Sequence, residues 1–122
     1  MSTITTALTV VAALVFLLAG GQKVLMRPRV STNLRRLGVG QALTRLIGVL
    51  EIVGAVGLIA GVWVTPLGIA AAASLICLLI GALIYHARAG DFGNRERRAE
   101  AVAPAALLVT TGLIGALLVS AP

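Results

Sequence analysis

The sequence predicts an all-α integral membrane protein, a four-helix bundle in a single domain that covers residues 1–122. Hydrophobic residues make up 59% of the chain, charged residues make up 11%, and the mean hydropathy is +1.06. A soluble domain has roughly 45–50% apolar and 25% charged residues. Apolar runs that can cross a hydrocarbon core, which takes about 20 helical residues, occur four times. The composition therefore excludes a soluble enzyme.

The four apolar runs are residues 4–25, 43–64, 67–86 and 104–120. Each is expected to be a helix, because backbone N–H and C=O groups in lipid must be satisfied within their own segment. The second and third runs are separated only by Thr65 and Pro66, so they are predicted to form a tight antiparallel hairpin. Pro66 and Pro104 are predicted at helix starts, where a missing N–H costs little.

The basic residues predict how the bundle is oriented. Helices that alternate in direction place the first and third connections on the same face of the membrane, and the positive-inside rule assigns that face to the cytoplasm. Both termini are then predicted on the non-cytoplasmic side of a cell (inner) membrane. This placement explains the net charge of +6 without a nucleic-acid partner. The basic residues in or beside the first connection are Lys23, Arg27, Arg29, Arg35, Arg36 and Arg45, and those in the third are Arg88, Arg95, Arg97 and Arg98.

The first connection has a short amphipathic pattern of its own. Ser31 or Thr32 is expected to cap a helical turn there, because their hydroxyls accept hydrogen bonds from backbone N–H groups. Leu34 and Leu37 are then expected to face the bilayer, while Arg35 and Arg36 face lipid phosphates.

Small residues predict how the spans pack. Helices in lipid associate through close backbone contact, because lipid tails are as apolar as leucine. Such contacts are expected at three small-xxx-small pairs, Gly57 with Gly61, Gly68 with Ala72, and Gly112 with Ala116.

Glu51 is the only acidic residue inside a predicted span, about 12 Å below the nearer boundary. A charge at that depth costs several kcal/mol unless it is paired or hydrated. Lys23 and His86 are the best-placed partners, because side chains tilt toward the N-terminus of their helix and the three can converge. Gln22 and Arg88 are expected near the rim of this cluster. The alternative is that Lys23, His86 and Arg88 only extend to lipid head groups.

The second span also carries a recognisable motif, R-x-x-G-x-x-E, formed by Arg45, Gly48 and Glu51 and followed by small residues. With the letters AGGQK that end at Lys23 and HARAGD that end at Asp91, it resembles the DoxX-like family of small membrane proteins. The resemblance implies a four-helix membrane protein. Its relatives are associated with quinone-linked and respiratory oxidoreductases, with oxidative-stress assemblies, and with membrane-protein biogenesis. The chain departs from the redox-active branches because it has one cysteine and no cysteine pair.

The leading hypothesis is an accessory or partner-binding subunit of a membrane complex, a redox complex among the candidates. The polar cluster would hold a quinone or a lipid head group. One alternative is a quinone-linked oxidoreductase component with Glu51 and His86 as a proton relay. The other is a small proton-coupled transporter, which the 3% aromatic content disfavours. The predicted partners are the lipid bilayer and a membrane complex or a second copy of the chain. No metal site is predicted. The candidate binding residues are Glu51, His86, Lys23, Gln22, Arg45, Arg88 and Asp91.

Overall fold

The computed structural model describes residues 2–120. Within them there are five α-helices, one 3-10 turn and no strand. Four of the helices, all except α2, are long and apolar enough to cross a membrane. The predicted all-α bundle of four membrane helices is thereby confirmed. The elements are α1 Thr3–Val24, α2 Pro28–Arg36, α3 Gln41–Ala60, α4 Thr65–Arg88, the 3-10 turn Asp91–Gly93, and α5 Arg98–Ser120.

The four long helices form a ring in which α1 packs on α3, α3 on α4, α4 on α5, and α5 back on α1. The short helix α2 lies at the end of the bundle and touches α1 and α3. Side chains that fill the centre are fully buried, and the outward faces of the long helices are apolar, as lipid contact requires. The largest of the buried apolar side chains are Phe16, Leu58, Leu75 and Ile114.

The hairpin of α3 and α4 depends on close backbone contact. A Cβ built on Gly61 would lie 2.4 Å from the Cα of Gly68, and one built on Gly57 would lie 2.8 Å from the Cβ of Ala71. Pro66 is in the first turn of α4, where its missing N–H is tolerated. The tight hairpin and the packing role of these glycines agree with the sequence prediction.

Two predictions about the last helix are wrong. α5 begins at Arg98, whose N–H bonds to the carbonyl of Asn94 at 2.9 Å, so Pro104 lies inside the helix and not at its start. The apolar run marks where lipid contact begins, whereas backbone hydrogen bonding begins earlier, in the polar connection. A Cβ on Gly112 would meet nothing within 4 Å, and Ala116 is exposed, so this small pair makes no helix contact.

The prediction for the start of α2 is also wrong. The helix begins at Pro28 and its N-cap residue is Arg27, with no side-chain cap. Proline favours the first helical position because its φ is already helical and its N–H is not needed there. Ser31 and Thr32 lie inside the helix, and the Ser31 hydroxyl donates to the carbonyl of Pro28 at 3.4 Å. Leu37, which follows the helix, is buried in the protein, so the prediction that it faces the bilayer is wrong.

Candidate functional site

Lys23 and Glu51 form an ion pair between α1 and α3, here called the membrane pair. The Lys23 ammonium donates a hydrogen bond to Oε1 of Glu51. The Glu51 side chain is 8% exposed and the Lys23 side chain 17% exposed. Glu51 lies ten residues into α3, about 15 Å from its start. At that depth an unpaired charge is expensive, so each member neutralises the other.

Two glycines bring the membrane pair together. A Cβ on Gly20 would lie 2.6 Å from the carbonyl oxygen of Gly48, and one on Gly48 would lie 2.7 Å from the carbonyl oxygen of Gly20. Each charged residue follows its glycine by three positions, one turn along the same helix face. α1 and α3 run in opposite directions and side chains tilt toward their own N-termini, so Lys23 and Glu51 lean toward one another.

A second polar group, here called the end cluster, consists of Arg36, His86 and Asp91. Its centre is the carboxylate of Asp91, which is 1% exposed. The Arg36 guanidinium donates from Nη1 to Oδ1 and from Nη2 to Oδ2, both at 2.9 Å. Nδ1 of His86 lies 2.6 Å from Oδ2. This geometry is the two-pronged arginine–carboxylate pair, which is stronger than an ordinary hydrogen bond.

The three members of the end cluster come from separate elements. Arg36 is the last residue of α2, His86 lies in the last turn of α4, and Asp91 begins the 3-10 turn. Between the last two, Gly90 adopts a left-handed conformation with φ of 74°, which glycine tolerates without strain. The cluster therefore ties the first connection to the third at the arginine-rich end of the bundle.

The hydrogen bonds of Arg36 hold the pKa of Asp91 at about 2, below its ordinary value of 3.8, with a further contribution from His86 and against the opposing effect of burial. The same hydrogen bonds raise the pKa of Arg36. Asp91 is therefore ionised at neutral pH and has no proton to donate. Nδ1 of His86 must carry the proton of their shared hydrogen bond.

The structure divides the candidate residues differently from the sequence interpretation. Lys23 lies with Glu51, but His86 hydrogen-bonds to Asp91 and not to Glu51. The prediction that all three side chains converge is wrong, because the His86 ring bonds to Asp91. His86 sits in the last turn of α4, and the 3-10 turn that follows folds Asp91 back onto its ring. A Glu51–His86 proton relay therefore lacks a hydrogen bond in this structure.

Three other candidates have exposed side chains and make no ion pair or side-chain hydrogen bond within residues 2–120. They are Gln22, Arg45 and Arg88. In the same part of the chain, no group of three His, Cys, Asp or Glu residues is arranged to hold a metal ion.

The sequence pattern does not identify Arg36 as part of a polar site. The amphipathic pattern predicts that it faces lipid phosphates, yet its guanidinium donates to the buried carboxylate of Asp91. It also donates to Oδ1 of Asn33 at 2.9 Å and lies 3.6 Å from Oε2 of Glu100. Nine arginines compete for few acids in this sequence, so only the path of α2 identifies the one that reaches Asp91.

A groove of about 290 Å³ lies between α3 and α4, away from both polar groups. Its only side-chain hydroxyl, on Ser74, already donates to the carbonyl of Ala70 at 2.9 Å. The groove is therefore apolar and offers no charged group to a ligand. Its lining residues are Leu50, Val53, Gly54, Gly57, Leu67, Ala70, Ala71, Ser74 and Leu78.

Comparison with protein families agrees with the resemblance in the sequence. A family model described as the DoxX-like family matches residues 7–114, a range that contains both the membrane pair and the end cluster. No curated protein and no solved structure matches the chain.

Proposed function

The chain belongs to the DoxX-like family, and from that premise we propose that it is an accessory subunit which binds a partner protein within the membrane. A membrane redox complex is the first partner class to test, because the family resemblance points to it. In this proposal the protein performs no chemistry of its own. The membrane pair fixes the geometry of the bundle that the partner recognises.

One observation supports an accessory role over catalysis. Each of the two buried carboxylates in residues 2–120, on Glu51 and Asp91, is already paired with a basic side chain. A general acid or base must reach the proton of a substrate, within hydrogen-bond distance or through one water. Here both carboxylates are paired with basic side chains of the protein, and neither lines the apolar groove between α3 and α4.

Native mass spectrometry of the chain, expressed in its own host and extracted in mild detergent, tests this proposal. The expected result is a defined complex with a second membrane protein. The double variant Lys23→Met/Glu51→Leu serves as the matched comparison, because it removes both charges and keeps side chains of similar size. Loss of the complex in this variant would support that role of the membrane pair, and retention would show that the partner does not depend on the pair. A wild-type chain that is monomeric and carries no second subunit would overturn the accessory role.

A second candidate function is the binding of a polar head, such as a quinone carbonyl or a lipid head group, at the membrane pair. It is favoured by the 17% exposure of the Lys23 side chain, whose ammonium has further N–H donors beyond the one used by Glu51. Titration with a short-chain quinone, followed by native mass spectrometry, is expected to give an adduct that Lys23→Met loses. Arg95→Gln removes an exposed charge elsewhere and should keep it. Equal binding to all three proteins would reject this candidate.

We also propose that the arginine-rich end faces the cytoplasm and that both termini lie on the opposite side of a cell membrane. The support is the placement of all ten basic residues in or beside the two connections at that end. Reporter fusions to the C-terminus test it: a periplasmic-type reporter should be active and a cytoplasmic fluorescent reporter dark. The reverse result would invert the orientation.

A further inference from the structure

Within residues 2–120, three exposed arginines lie in the long helices at their arginine-rich ends. Arg45 is in the first turns of α3, Arg88 ends α4 and Arg98 begins α5. Their side chains are exposed. Together these three residues are called the arginine collar.

The arginine collar differs from Arg36 in having no acidic partner. No member of the collar forms a salt bridge within the described part of the chain, whereas Arg36 pairs with Asp91 and Glu100. Arg98 uses only Nε, which donates to the carbonyl of Phe92 at 3.2 Å. The collar therefore presents guanidinium groups with most of their N–H donors available, and a guanidinium fork matches the oxygens of a phosphate.

The position of the collar near the helix ends indicates which kind of phosphate it binds. Arg45 lies four residues inside α3, about 6 Å beyond the first residue of a helix that is apolar enough to span the membrane. The Cβ of a residue in α3 tilts toward the arginine-rich end, while that of Arg88, on the antiparallel α4, tilts toward the membrane centre. The guanidinium groups of Arg45 and Arg88 are therefore expected at a similar depth near the helix ends, where lipid head groups lie. A protein partner outside the membrane would instead need one continuous patch, and the collar is spread over three of the four long helices.

We propose that the arginine collar binds the phosphate groups of anionic phospholipids in the leaflet around the bundle. The inference is independent of the accessory role, because it concerns different residues and a lipid rather than a protein. Each basic residue near an anionic surface contributes about 1 kcal/mol, which corresponds to about fivefold in affinity.

Lipid titration of the delipidated protein tests the proposal by native mass spectrometry. Phosphatidylglycerol and phosphatidylcholine with the same acyl chains are compared. Phosphatidylglycerol is expected to bind several-fold more tightly and to lose this advantage in about 0.5 M salt, where charges are screened. Arg45→Gln and Arg88→Gln should each weaken phosphatidylglycerol binding about fivefold. Arg45→Lys should recover part of the loss, because the charge returns without the fork.

Arg95→Gln is the matched control, since Arg95 is exposed in the connection between the 3-10 turn and α5 and not at the end of a long helix. It should weaken binding less than Arg45→Gln does. Circular dichroism of each variant verifies that the helices are retained. Equal binding of the two lipids would overturn the proposal. So would displacement of phosphatidylglycerol by a soluble acidic peptide, which would indicate a protein-binding patch.

Discussion

The membrane pair and the end cluster stabilise a buried carboxylate in different ways. Glu51 has one cationic partner, and that partner reaches it because two glycines allow α1 and α3 to touch. Asp91 has two partners that together make three hydrogen bonds, and no close helix contact is needed. Inside the membrane, helix packing determines the positions of the two charges. At the end of the bundle, directional hydrogen bonds determine the path of the connecting segments.

The two groups also hold different parts of the molecule. The membrane pair joins two long helices that pack along each other, so its loss should affect the whole bundle. The end cluster attaches α2, a nine-residue helix with no buried residue of its own. Its loss should release α2 and leave the bundle folded, because segments with few buried contacts open locally.

The largest expected effect is that of Lys23→Met. It leaves Glu51 unpaired at depth, on a side chain too short to reach the head groups. Removing one partner of a buried ion pair costs about 3–5 kcal/mol. Glu51→Leu should cost less, because the longer Lys23 side chain is able to extend toward the membrane surface. Unfolding in detergent, followed by circular dichroism, measures both.

The double variant Lys23→Met/Glu51→Leu is the control for this prediction. Replacing a whole buried pair by apolar side chains of similar size is often neutral or stabilising. The double variant should therefore be more stable than Lys23→Met alone. If it is as unstable as that single variant, lost packing and not an unpaired charge explains the effect.

The next effect is that of Gly48→Ala. The new methyl group would lie 2.7 Å from the backbone oxygen of Gly20, so α1 and α3 must move apart. Overpacking of this kind costs about 1–3 kcal/mol. Gly112→Ala is the matched control, because its methyl group meets nothing within 4 Å. Equal thermal stability of the two variants would show that α1 and α3 do not touch at Gly48.

The sequence predicted the features that depend on hydropathy and helix direction. The four spans, the α3–α4 hairpin and the position of Glu51 inside a helix follow from patterns that repeat along the chain. The direction of side-chain tilt also predicted the contact between Lys23 and Glu51, which the structure confirms.

The sequence could not predict features that depend on the path of a connection. The direction of side-chain tilt predicts that His86 approaches Glu51, but the left-handed turn at Gly90 brings Asp91 back to the imidazole. The amphipathic pattern of its helix predicts that Arg36 faces lipid. Only the crossing of α2 beneath the bundle shows that this arginine meets Asp91.

A smaller and more local effect is expected for Asp91→Asn. The variant removes the charge that holds Arg36 and His86, so α2 should open more often while the long helices keep their stability. Hydrogen exchange of the α2 amides should accelerate on the order of tenfold, because hydrogen bonds to charged groups are among the stronger ones. Glu100→Gln is the control, since Glu100 lies 3.6 Å from Arg36 and accepts no hydrogen bond from it. Equal acceleration in both variants would contradict the central role of Asp91.

The smallest effect is expected from pH. Asp91 has a pKa of about 2 in the folded protein, below its ordinary value of 3.8. Because the folded-state pKa is lowered, the stabilisation is fully present above the ordinary value and is lost as pH falls toward about 2. Protection factors of the α2 amides, corrected for the intrinsic rate, should therefore stay constant from neutral pH down to about 4 and then fall. Asp91→Asn should remove this transition. A transition that Asp91→Asn leaves unchanged would mean that a group other than Asp91 attaches α2 to the bundle.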